Sequence, residues 1–107
     1  MDSLTNKNII SQILGGHQKV KLNNMIQLLE NINGRNVWIY VTNKLYGDQK
    51  IKCALKLIND KERLGFSIKG QEIYINKKEI CDFKVQEKKY YFANEIMSIE
   101  IRQLNWQ

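Results

Sequence analysis

A chain of 107 residues with 43% hydrophobic side chains can build one packed core but not two, so a single domain over 1–107 is expected and intrinsic disorder is not. The net charge is +6, from 17 Lys and Arg against 11 Asp and Glu, and there is no Pro, which excludes Pro-set linkers and turns. Two Cys and one His give no ligand set for a zinc site, so neither a metal nor a cofactor is expected.

The chain divides into a helical front, 1–32, and a β-meander, 35–104. Ile9, Ile10, Ile13 and Leu14 share one helical face after Thr5, a plausible N-cap, and Gly15-Gly16 stops that pattern. Residues 17–21 read as a basic connector carrying His17, Lys19 and Lys21. A second helix is expected over 22–32, where Leu22, Met25, Ile26 and Leu29 follow the i, i+3, i+4, i+7 rule and Asn33-Gly34 ends it. From Val37 the period becomes two. Val37, Ile39 and Val41 alternate with Trp38 and Tyr40, and this two-sided apolarity predicts a strand covered on both faces, one of them by the helix.

A loop over 43–49 carries Lys44 and Tyr46, and a strand over 50–57 points Ile51, Cys53, Leu55 and Leu57 inward, with Lys50, Lys52, Ala54 and Lys56 outward. Further short strands centre on Leu64–Ile68, Ile73–Ile75, Cys81–Val85, Tyr90–Phe92 and Met97–Ile101, each separated by a polar turn. The fold class is therefore α+β: two N-terminal helices followed by a curled antiparallel meander of six or seven short strands. Closure would remove edges that no Pro guards. The layout of a helical front followed by five or more short curled strands resembles Sm-like and SH3-like small barrels, and that resemblance is one of layout only. A winged-helix domain is the alternative; its third helix would have to lie around 76–82.

No motif brings catalytic groups together. There is no phosphate-cradling glycine loop and no nucleophile elbow. His17 could serve as a base for Cys53 or Cys81, but both thiols fall at inward strand positions, where burial favours the inert form. The carboxylates of Asp60 and Glu62, and of Glu79 and Asp82, are interleaved with Lys or Arg and read as solvated turns. A non-enzymatic role is expected. The apolar runs are shorter than a membrane span, and the opening Met1-Asp2-Ser3-Leu4 lacks the basic start of a secretory signal, so a cytoplasmic location without membrane association is expected.

The distribution of charge carries the main functional expectation. Residues 1–59 hold 8 basic and 3 acidic side chains; residues 60–107 hold 9 and 8. Lys50, Lys52 and Lys56 share one strand face by parity, Lys44 lies on the preceding loop, and Lys19, Lys21 and Arg35 bracket the main helix. Such a cluster suits the phosphate backbone of a nucleic acid, with DNA ranked above RNA, and Tyr46 could stack on a base or wedge into a groove. With only three Arg, backbone contact is favoured over reading of base edges, although a homodimer could add specificity by fixing the spacing of two sites. The second expectation is a protein-interaction module, such as a small regulator or inhibitor of the kind phages and mobile elements carry. It would use Trp38, Tyr40, Tyr91 and Trp106 as anchors.

Overall fold

The computed structural model describes residues 18–104. Within them, residues 18–31 form one helix, α1. Eight strands follow: β1 (Asn36–Asn43), β2 (Gly47–Ala54), β3 (Leu57–Asn59), β4 (Arg63–Ile68), β5 (Gln71–Asn76), β6 (Asp82–Gln86), β7 (Lys89–Ala93) and β8 (Met97–Gln103). Every strand pairing is antiparallel.

Two expectations of the fold need correction. The first concerns the helices. The described chain has one α-helix, not two, because the basic stretch expected as a connector is helical from Gln18 onward and runs unbroken into Leu22. No Gly or Pro interrupts it there. The earlier stripe of Ile9 to Leu14, with Gly15-Gly16 and His17, lies outside the described residues.

The second concerns the sheet. The strands form two open sheets rather than a curled or closed barrel: five strands in the order β2-β1-β8-β7-β6, and three in the order β3-β4-β5. The break falls inside the run 50–57 that parity reads as one strand. Leu55 donates its N–H to the Arg35 carbonyl and accepts from the Gly34 N–H, both at 2.8 Å. Those bonds carry the β1–β2 pairing one residue past Ala54. Beyond them the chain leaves the larger sheet, and Leu57 pairs with Phe66 in the smaller one. Asn33, just past α1, accepts from the Leu57 N–H through its side chain at 2.9 Å, tying the helix end to the same passage. The winged-helix alternative also lacks its third helix, since only a 3-10 turn, Lys77–Glu79, stands in that region.

One buried cluster joins the three parts. Met25 and Leu29 of α1, Val37 and Ile39 of β1, Phe92 of β7, Ile99 and Ile101 of β8, and Leu64 and Phe66 of β4 are all fully buried in it. The apolar stripe of α1 is covered because it meets the inward positions of the larger sheet. Those positions alternate with a second set, which faces the other way.

Candidate nucleic-acid interface

Register determines what lies on that second set. Lys52 of β2 pairs with Trp38 of β1, Trp38 with Arg102 of β8, Arg102 with Lys89 of β7, and Lys89 with Gln86 of β6. The neighbouring row, two residues along each strand, reads Lys50, Tyr40, Glu100, Tyr91 and Lys84. Both rows cross all five strands, a width of roughly 19 Å at the usual strand separation. They hold five cations, three large aromatic rings and one carboxylate. The next row, Asp48, Thr42, Ser98, Ala93 and Asp82, has acids at its ends and no base. The positive field therefore has a border on the face itself.

Trp38 and Tyr40 are half-buried, whereas Val37, Ile39 and Val41 between and beside them are buried. The strand is thus covered on one side by the core, and α1 packs on that same side. The expectation that core and helix cover opposite faces of the strand is not met, because the apolar stripe of α1 joins the same buried cluster as Val37 and Ile39. The rings instead receive cations. The Lys50 ammonium sits 4.6 Å from the Trp38 ring centroid and 5.5 Å from that of Tyr40. Lys52 approaches Trp38 at 5.8 Å, and the Arg102 guanidinium lies 4.6 Å over Tyr40. The ring quadrupole attracts each of them.

Glu100 is the single acid within the rows, and Arg102 engages it through Nε. That hydrogen bond pushes the Arg102 pKa further above its already high ordinary value. The bond also fixes the plane of the guanidinium over Tyr40. Beside it, Trp38, Tyr40, Arg102, Lys88 and Lys89 line an open groove of about 840 Å³, together with the carboxylate of Glu87.

The other residues singled out from sequence lie elsewhere. Lys44, Leu45 and Tyr46 form the tip of the β1–β2 hairpin, where the Asn43 side chain accepts from the Leu45 and Tyr46 N–H groups at 2.8 and 3.1 Å. The Asp48 row separates this tip from the basic rows. Tyr46 is 85% exposed and borders a cleft shared with Ile73 and Tyr74 of the smaller sheet. Lys56 stands in the passage between the sheets, beyond the end of β2. Lys19 and Lys21 are exposed on α1, which packs on the core side, and Lys21 lines a cleft with Phe83 and Val85 of β6. Arg35 is exposed in the bend before β1. Tyr91 belongs to the second row, and Trp106 lies outside the described residues.

Sequence reasoning missed Lys84, Lys89 and Arg102 as partners of this surface. Parity places Lys84 and Arg102 outward, but nothing local reveals that β8 returns to pair with β1. Of the paired carboxylates, Asp60 is the one held in an ion pair among the described residues. Asp60 binds Arg63 at 2.7 Å, and Arg63 binds Glu72 at 2.8 Å. Among the described residues no group of three His, Cys, Asp or Glu could hold a metal ion, and no helix is long and apolar enough to cross a membrane. No protein-family model, curated protein or solved structure matches the chain.

Proposed function

We propose that this protein is a nucleic-acid-binding accessory protein that grips the phosphate backbone with the outer face of its five-stranded sheet. One observation carries the reading: two adjacent cross-strand rows gather Lys50, Lys52, Lys84, Lys89 and Arg102 against the lone carboxylate of Glu100. Several cations on one face can contact successive phosphates and release their counterions, which makes affinity fall steeply with salt. The absence of a bidentate arginine array supports backbone contact over base-edge reading.

The test is a salt titration of binding to labelled DNA and RNA. Five engaged cations give a slope of log K against log salt of about −3.5 to −4.5. The variant K50E/K89E stays folded, binds at least roughly tenfold more weakly at low salt and has a shallower slope. The variant K61E/K78E carries the same change in total charge on exposed turns of the smaller sheet and binds like the parent protein. Equal losses in both variants would reduce the face to bulk charge and overturn the assignment.

A protein-interaction module is the second reading. It draws on Leu45 and Tyr46, which stand 70% and 85% exposed at the hairpin tip, away from the basic rows. Indifference to every nucleic acid at low salt would favour it.

A further inference from the structure

Resting on the backbone-binding reading, we infer that the ligand is single-stranded and that Trp38 and Tyr40 are its base-stacking platform. The two side chains lie two residues apart on β1, with ring centroids 6.4 Å apart and planes inclined by 33°. A cation lies over each ring, 4.6 Å from its centroid, so each turns a π-face to the basic side chains of the outer surface. A base offers the same kind of partner with a larger flat area, and base–aromatic stacking tolerates any sequence.

Lys50 covers Trp38 only through a flexible four-carbon stem and has no carboxylate partner among the described residues. It can lift from the ring and move to a phosphate as a base takes its place. Arg102 differs, because Glu100 holds its guanidinium over Tyr40. Exchange therefore starts at Trp38. A duplex cannot use this platform, since its bases are already stacked and paired. The open groove beside Trp38, Tyr40 and Arg102, bounded by Glu87, Lys88 and Lys89, gives an unpaired strand room next to the platform. Sheet-borne aromatics that stack unpaired bases are an established mode of recognition.

The test compares the full chain with W38L, Y40L and W38F. The probes are a fluorescent oligothymidine, the matching oligouridine, a duplex of equal length, and heparin as a polyanion without bases. Oligothymidine and oligouridine separate a DNA from an RNA preference. The parent protein binds the single strands more tightly than the duplex. W38L weakens single-strand binding by roughly 5- to 100-fold and Y40L by a smaller factor, and W38F recovers most of the loss. Heparin binding and the salt slope stay at parental values in all three variants, and each keeps the cooperative thermal unfolding of the parent protein. Single-strand affinities unchanged in W38L and Y40L, or a duplex bound as tightly as the single strands, would overturn the platform and leave backbone binding standing. Failure of every probe to bind the parent protein would overturn both.

Discussion

A thiol is a nucleophile only as its thiolate, so its surroundings decide whether it reacts. Sequence parity places Cys53 and Cys81 alike at inward positions. The structure separates them. Cys53 is half-buried on β2, and burial pushes its pKa up. Cys81 precedes β6 and is exposed, with its Sγ 3.7 Å from the Ala93 carbonyl. Alkylation at neutral pH should therefore proceed in two phases, and C81S should abolish the fast one; a fast phase that survives in C81S would refute the difference. Asp60 is the other residue whose surroundings matter. The Arg63 side-chain hydrogen bond, helped by the Arg63 and Glu62 N–H groups, holds its carboxyl below the usual range. A depressed carboxyl contributes stability above its unfolded pKa and loses it as pH falls through the folded one. D60N should thus lower the melting temperature at neutral pH, and the gap to the parent protein should close on acidification below the usual carboxylate range. A gap independent of pH would place the effect elsewhere.

Among the elements, β4 shows why a residue with no side chain can be indispensable. Gly65 sits between buried Leu64 and Phe66 and pairs with Tyr74. A Cβ there would meet the Ile73 carbonyl oxygen at 2.0 Å and the Tyr74 Cα at 2.4 Å, both backbone atoms that cannot swing aside. G65A should cost at least about 2 kcal/mol in urea unfolding, at the upper end of overpacking effects. A loss below about 0.5 kcal/mol would mean that β5 yields easily. A glycine inside a strand pattern is a readable sign of close backbone approach. The turn that follows was equally legible: Lys69 and Gly70 both take positive φ, the conformation a two-residue hairpin loop demands. The helical stripe from Leu22 to Leu29 could be read too, because burial of one face follows directly from a 3.6-residue period.

For the whole molecule, period tells which side chains share a face but not which strands are neighbours. The basic residues of β2 were visible beforehand, as were the rings of β1. Their union with Lys84, Lys89 and Arg102 was not, because β8 reaches β1 across most of the chain. The division into two sheets was hidden for a related reason. Leu55 and Lys56 continue the alternation of β2 without fault, and the departure shows only in the partner that Leu57 takes, Phe66 of the smaller sheet. Trp38, Tyr40 and Tyr91, which seemed to argue for a different partner from Lys50 and Lys52, share one face with them. That merger came from topology, which no local pattern encodes.

An unclosed sheet has rims. β2 has a strand on one side only among the described residues, and its eight residues contain neither proline nor a bulge. A stranger's extended segment could lengthen the ladder there. A second copy docking antiparallel about Ile51 would set Lys50 against Lys52 on one side of the seam, and their mutual repulsion discourages it. The ammonium groups proposed to hold phosphates thus also act as bumpers against fibre growth. Glutamate at both positions keeps like charges opposed, whereas glutamate at only one of them would turn repulsion into attraction, and isoleucine at both would invite the protein to polymerise.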